Sequence, residues 1–485
     1  VRSEEPEKYI DEENRALAEA IGRPRRVLDV GCGVGLNGAV AKRRGAHVTG
    51  LEIAPRSIAR AREVLDEVLA LDITSDASIR EGLRGKSFDL MLFGDVLEHT
   101  VDPASVLHRL LPYVEDEGHV IVSLPNIASW PVRLKLLGGH FDYERSGILD
   151  DTHLRFFTRD SAARLVEEAG LEVLRVEQNP MLVRAMKDVI VATLLDTDDG
   201  APRDPGELRN SLSYKAYQAL IRPIEDVIAN RAPGLLAFQN VIVARKPARP
   251  RKLSLTVGML TMDEEESVEA MIGEIRRVAP DAKILCVDSS TKDKTPEIAE
   301  RLGARVLRQI PPRGHGPAME LLMYSAAAES EALIYLDCDF TYPADAIPVV
   351  RRLLEDEGVD VVNCARTRSK PAAMPLANYV ANRSFAAMAH ALHGIPTCDL
   401  HSGMRGYRSS VIRAFDFDGE GDAIPIDTLL FPAKSGYRVV ELPIAYAERV
   451  GASKLRKVAG TVWTMIRLAR GLPVGRRLGE RYERR

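Results

Sequence analysis

Long apolar runs, paired cysteines and an excess of either charge are all missing from this chain. No stretch approaches the 18 or so consecutive apolar residues of a membrane-spanning helix, and the acidic beginning VRSEEPEKYIDEENRALAEA lacks the apolar centre of a secretory signal. The five cysteines (Cys32, Cys286, Cys338, Cys364, Cys398) are odd in number, widely spaced and contain no C-x-x-C. That argues against a zinc ribbon or a disulfide framework and fits a reducing cytoplasm. A net charge of −4 over 485 residues gives no global attraction to nucleic acid. Arginine outnumbers lysine, which hints at a GC-rich bacterial genome and says nothing about chemistry.

What is present is an ordinary soluble composition, 45% hydrophobic and 28% charged, at a length that exceeds one core. From residue 26 short apolar runs alternate with helical patterns: RVLDV, GLNGAVAKRRG, HVTGLEI, PRSIARAREVL, FDLMLFGDVLEH, PASVLHRLLPYV, GHVIVSLP. Such alternation predicts a mostly parallel, doubly wound α/β sheet. A helical insertion is expected over 181–234, followed by a strand in LLAFQNVIVARKP that closes the sheet at its edge. The basic, proline-containing KPARPRK (246–252) reads as a linker, and at 253 a second β/α series starts. The expectation is two α/β domains, 1–247 and 253–485, joined at 248–252.

In VLDVGCGVG (27–35), Asp29 ends a strand, and Gly31, Gly33 and Gly35 let the backbone turn tightly toward a ligand at the next helix N-terminus. Glu52 follows the second strand, suited to ribose hydroxyls, and Asp72 in ALDI to the adenine side. FDLMLFGDVLEHTVDP, with Asp95, closes the fourth strand. In order and type these residues resemble the class I S-adenosylmethionine-dependent methyltransferases, over roughly 1–248. The resemblance implies a Rossmann-like fold and S-adenosylmethionine held by Asp29, Gly31, Gly33, Gly35, Glu52, Asp72 and Asp95. Methyl transfer to a hydroxyl needs a base; His99 and His153 are the candidates, either of which could instead be a structural histidine bonded to a neighbouring loop. Asp150 and Asp151 lie near the same mouth or form a solvated turn.

The second half ends one strand in TMDEEES, another in VDSSTKDKT and a third in YLDCDFTYP. Carboxylates at i and i+2 leaving a strand can approach one hard cation, which can neutralise a diphosphate. With GHGPAM, CDLHSGMRGYR and YAERVGASKL, the series resembles inverting GT-A glycosyltransferases of the dolichol-phosphate mannose synthase type, across about 253–457. The resemblance implies a nucleotide-sugar donor facing Glu264 and Asp288, Mg²⁺ or Mn²⁺ on Asp337 and Asp339, and basic positions Arg366, Arg383, Arg449 and Lys454 around the diphosphates. Two departures stand out. The usual Asp-Asp-Gly-Ser turn is Asp288-Ser289-Ser290-Thr291, and the third metal-side position is Thr341. Asp427 falls where relatives with hydroxyl acceptors place the catalytic carboxylate; a phosphate acceptor needs no base. His390, His393, Cys398 and His401 match no common zinc pattern. Cys338 should pack away from its flanking aspartates.

The basic tail VAGTVWTMIRLARGLPVGRRLGERYERR could be an interfacial helix touching a bilayer or a helix docked on the protein. The expected function is a bifunctional enzyme transferring a sugar and a methyl group, acting on a glycan or glycosylated secondary metabolite because no membrane span is present. The alternative is a polyprenyl-phosphate glycosyltransferase with an accessory methyltransferase domain.

Overall fold

The computed structural model describes residues 14–144, 147–180, 233–368, 370–417, 419, 424–449, 464–465, 468 and 482–484. The chain divides into two compact units, Val1–Pro247 and Ala248–Arg485. The expected helical insertion at 181–234 lies, but for its last two residues, outside the described residues.

The first unit is a seven-stranded sheet in the order β3-β2-β1-β4-β5-β7-β6. β1 (Arg26–Val30), β2 (His47–Glu52), β3 (Glu67–Ala70), β4 (Phe88–Gly94) and β5 (Val114–Pro125) are parallel, and β7 (Ala237–Arg245) runs antiparallel to both β5 and β6 (Glu172–Pro180). Side chains alternate across the parallel strands. Leu28, Val30, Met91, Phe93, Val120 and Val122 face helices that contribute Ile79, Leu107 and Val166. Val27, Val48, Leu90, Leu92 and Ile121 face Leu17, Ile21, Val40 and Ala41. The strand expected at the edge is instead interior. Every side chain of β7 but Phe238 is buried, as a strand covered on both faces requires, whereas β6 carries the charges of Glu172, Arg175 and Glu177 and takes the edge.

The second unit is an eight-stranded sheet in the order β10-β9-β8-β11-β13-β12-β14-β15. β8 (Leu255–Thr261), β9 (Lys283–Asp288), β10 (Arg305–Arg308) and β11 (Ala332–Tyr335) are parallel. β13 (Arg405–Arg408) lies antiparallel between β11 and β12 (Val361–Ala365), and β14 (Val439–Pro443) and β15 (Tyr482–Arg484) complete the far side. Arg405 and Arg408 are fully buried and satisfied: Arg405 donates to Asn363 Oδ1 (2.8 Å), Thr428 Oγ1 (3.1 Å) and the Leu400 carbonyl (2.6 Å), and Arg408 to the carbonyls of Val359 and Leu354. They pin a reversed strand inside a parallel sheet.

In both units the strand order reverses beside the first strand, at β1/β4 and at β8/β11, the position where open α/β sheets bind ligands outside their carboxyl ends. Among the described residues no helix is long and apolar enough to cross a membrane. Of the tail, Thr464 and Leu468 are buried, and Tyr482–Arg484 pairs with β14. At these residues the tail docks on its own unit.

Candidate active sites

At the mouth of the first sheet the chain leaves β1 through three residues with positive φ, Gly31 (+62°), Gly33 (+54°) and Gly35 (+89°). A Cβ on Gly31 would lie 2.5 Å from Val96 Cγ2, while one on Gly33 would meet nothing within 4 Å. The first glycine is required by packing. The second lines open space of the kind a cofactor's approach needs, so the turn fits S-adenosylmethionine. Asp29 lies beneath the turn, buried, with Oδ2 accepting the Gly38 N–H at 2.9 Å. Burial, chiefly, pushes its carboxyl up to about 7. What Asp29 holds is the turn. Glu52 Oε2 accepts from Gly33 N (2.9 Å) and Oε1 from the N–H groups of Ile53 and Ala54 (2.7 and 2.9 Å), bracing the turn from the second strand. Asp72 is exposed, its carboxyl held below the usual range by Thr74, which donates through both hydroxyl (2.7 Å) and amide (2.8 Å).

Asp95 (φ +56°) ends a polar network that sequence reasoning missed. Its carboxylate accepts from Ser123 Oγ (2.9 Å) and Gln239 Nε2 (2.6 Å), and Asn14 and Asn179 extend the chain of bonds. Ser123, Asn179 and Gln239 come from three other strands, so only the sheet order joins them. Glu98 and His99 follow in the turn Leu97–His99, and His153 meets them from the loop after Gly147, with His99 and His153 ring centroids 4.8 Å apart. Burial and the nearby Asp95 push the Glu98 carboxyl well above its usual value. Burial and His153 lower His99. Asp150 is buried and accepts from Thr152 N (2.8 Å) and Oγ1 (2.5 Å), a local turn, while Asp151 is exposed.

In the second unit, Glu264, Asp288, Asp337 and Asp339 gather at the carboxyl ends of β8, β9 and β11. Asp288 is fully buried; Thr261 Oγ1 and Ser290 Oγ donate to Oδ2 (2.7 and 2.8 Å), and Arg308 Nε stands 3.5 Å from Oδ1. Ser290 also accepts from Asp263 N (2.7 Å), and Asp263 Oδ1 accepts from the N–H groups of Thr291 and Lys292. The unusual Ser-Ser-Thr turn therefore links the first two strand ends through a hydroxyl.

Asp339 Oδ1 accepts from Thr341 N (3.0 Å) and Oγ1 (2.5 Å), and Oδ2 pairs with Arg449 at 2.8 Å. Thr341 thus serves the aspartate. Burial and the Asp339 charge raise Asp337 to about 7. Two crowded carboxylates, one already drawing a cation, fit a divalent metal ion. A Cβ on Gly403, in the HSGMR loop, would collide with the Asp337 carboxylate. Cys338 is buried in the core with Met259, Val268 and Tyr342.

Of the basic positions, Arg449 touches the pair. Arg366 is locked by Asp399, to which Nε and Nη2 donate (2.8 and 2.9 Å), and lies over the rings of Tyr342 and Tyr446. It contributes charge and a fixed loop. Arg383 is exposed on the helix Leu376–His393, and no hydrogen bond or ion pair among the described residues joins it to the carboxylates. Lys454 lies outside the described residues. Asp427 is buried in the first turn of the helix Ile424–Lys434. His393 donates from Nε2 to the Leu468 carbonyl (2.8 Å), and burial drives His401 down to about 4. Among the described residues, the group of three side chains whose ligand atoms lie within 4.8 Å of one another, Glu98, His99 and His153, is in the first unit.

Residues 256–415 match a family model described as glycosyl transferase family 2. A dolichyl-phosphate hexose transferase of Haloferax volcanii is 37% identical over 207 residues, 42% of this chain and 88% of that protein. The second half belongs to glycosyl transferase family 2. An undecaprenyl-phosphate mannosyltransferase of Micrococcus luteus is 27% identical to this family 2 domain, over 40% of the chain and 84% of its own length. Residues 1–176 match a model described as a methyltransferase domain. A ubiquinone biosynthesis O-methyltransferase of Aeromonas salmonicida is 30% identical over 151 residues, 31% of this chain; the chain spans 63% of that relative's length. The chain is a fusion of a methyltransferase domain and a family 2 glycosyltransferase.

Proposed function

We propose that the family 2 domain transfers a hexose, with inversion, from a nucleoside diphosphate sugar to a polyprenyl phosphate, and that the methyltransferase domain methylates a hydroxyl in the same assembly route. The observation that carries the first part is the 37% identity to a dolichyl-phosphate hexose transferase over nearly all of that relative. The site's chemistry agrees. Asp427 is buried in a helix, and a phosphate acceptor, already ionised, makes no demand on it. Of the two acceptor classes open from the sequence, this one is therefore favoured over a glycan or secondary-metabolite hydroxyl.

In this reading a phosphate oxygen of the acceptor attacks the anomeric carbon, the bond to the diphosphate breaks, and the nucleoside diphosphate leaves. Glu264 and Asp288 bind the nucleoside side. Asp337 and Asp339 would hold Mg²⁺ or Mn²⁺, which supplies charge neutralisation at the leaving diphosphate. Arg449 stabilises charge on the same group. In the other domain, the turn at Gly33, with Glu52 and Asp72 at neighbouring strand ends, would hold S-adenosylmethionine, and the acceptor end lies at His99 and His153. The protein acts in the cytoplasm, meeting its lipid-linked acceptor at the membrane surface.

The purified chain, supplied with labelled nucleotide sugars and polyprenyl phosphate in detergent, is expected to form a lipid-linked sugar, and Asp427→Asn is expected to retain the activity. Transfer only to a hydroxyl acceptor, abolished by Asp427→Asn, would restore the other class.

A further inference from the structure

Two histidines and a glutamate at the acceptor end of the methyltransferase domain face one another. The Glu98 carbonyl accepts from the N–H groups of Leu154 (2.8 Å) and Arg155 (3.0 Å), which latches the His153 loop onto the turn that carries Glu98 and His99. One ligand atom from each of the three side chains lies within 4.8 Å of the others. His153 Nδ1 is 3.0 Å from the Ile148 carbonyl, and His99 Nδ1 is 3.2 Å from the Thr152 carbonyl and 3.1 Å from the Thr152 hydroxyl, whose own proton goes to Asp150 (2.5 Å). A carbonyl can only accept, so each neutral ring carries its proton on Nδ1 and presents Nε2 as a lone pair. Glu98 is 1% exposed, and neither carboxylate oxygen has a hydrogen-bond partner. A buried acceptor left so is costly and calls for an explanation.

We propose that Glu98, His99 and His153 bind one divalent first-row transition metal ion of the zinc or manganese kind. Fixing each Nδ1 on a carbonyl is how metal-binding imidazoles are oriented, and two imidazoles with one carboxylate leave positions open for a further ligand. Beside the site Phe156 packs against His153, and Phe141 and Tyr143 meet Phe156 and each other. The use of the ion, though not its binding, rests on the methyltransferase reading. An acceptor hydroxyl coordinated there gives up its proton to solvent more readily. Its oxygen then bonds to the methyl carbon as the carbon–sulfur bond breaks and the thioether leaves. The two histidines then act as ligands, and no histidine base is needed.

The test uses the full chain, stripped with chelator and titrated with Zn²⁺ or Co²⁺ alone. The Asp339→Ala background removes a ligand from the other domain's carboxylate pair. In that background one equivalent is expected to bind, with Co²⁺ giving visible absorption bands. Adding Glu98→Gln is expected to weaken binding at least tenfold and erase the bands. Should Glu98→Gln fail to fold, His99→Asn serves as the second variant, with the same loss of affinity and bands expected. No bound equivalent in the Asp339→Ala protein, or unchanged affinity with Glu98→Gln, overturns the site. Calorimetry with S-adenosylmethionine on the unaltered chain is read separately: its failure would sink the methyltransferase reading and leave the metal result standing.

Discussion

At Gly33 the backbone φ of +54° and the empty space around a hypothetical Cβ separate two effects that glycine turns usually mix. Gly33→Ala meets no protein atom, so its cost to the fold is the left-handed backbone alone, about 1–2 kcal/mol. A cofactor lying over the turn would meet the new methyl group. Calorimetry should therefore show S-adenosylmethionine binding weakened tenfold or more in a variant that still folds. Gly31→Ala differs, because its Cβ runs into Val96, and its expected outcome is lost stability of about 1–3 kcal/mol.

Asp29 makes a prediction of the opposite kind. Its carboxyl is raised by burial to about 7, so ionising it is harder in the folded than in the unfolded chain. The associated stability is fully present below the ordinary pKa near 4 and is lost as pH rises through 7. Asp29→Asn keeps an acceptor for Gly38 N without that titration. Hydrogen exchange of residues 26–43 should quicken between pH 5 and 8 in the wild type, corrected for intrinsic exchange, and do so less in Asp29→Asn.

At the scale of elements, the ion pair between Arg449 and Asp339 ties the loop after β14 to the carboxylate pair. A metal ion on Asp339 competes with that guanidinium. Arg449→Ala should therefore bind Mn²⁺ several-fold more tightly in the absence of donor, read by the loss of free-ion signal in electron paramagnetic resonance. Sugar transfer should fall by ~10²-fold, because the charge at the leaving diphosphate is lost. Tighter metal with unimpaired transfer would mean that Arg449 only guards the site.

What the sequence made legible divides along the same line. The glycine turn after β1 and the Asp337/Asp339 pair are each contiguous, a strand running into a turn, and the alternation of strands and helices announced both sheets. Strand order is not contiguous information. Nothing in LLAFQNVIVARKP says that it pairs with β5 as well as β6, so β7 was expected at the edge it does not occupy. Partners remote in the chain were hidden for the same reason: Gln239 against Asp95, Asp399 against Arg366, and His153 against Glu98. The Ser290 hydroxyl bridging two strand ends was visible only as a departure from a familiar turn.

For the whole molecule, the two domains have separate sheets, separate cores and separate sites, which makes their chemistry separable by single changes. Asp339→Ala should abolish sugar transfer and leave S-adenosylmethionine binding unchanged; Gly33→Ala should do the reverse. What fusion adds is order. If the methyl acceptor were a free precursor of the lipid-linked sugar, methyl transfer by the Asp339→Ala protein would proceed at the wild-type rate on cell extract. If the methyl group goes onto the transferred hexose or onto what is built from it, that variant methylates nothing until unmethylated glycosylated lipid is supplied, and adding lipid extract from cells that carry Gly33→Ala restores it. The second outcome is expected, because covalent linkage benefits an enzyme whose substrate is the other domain's product and gives nothing to one whose substrate comes from elsewhere. Mass spectrometry of the lipid fraction decides between them: a hexose-bearing lipid 14 mass units heavier in the wild type, absent from Asp339→Ala and unmethylated in Gly33→Ala, fixes sugar first and methyl second.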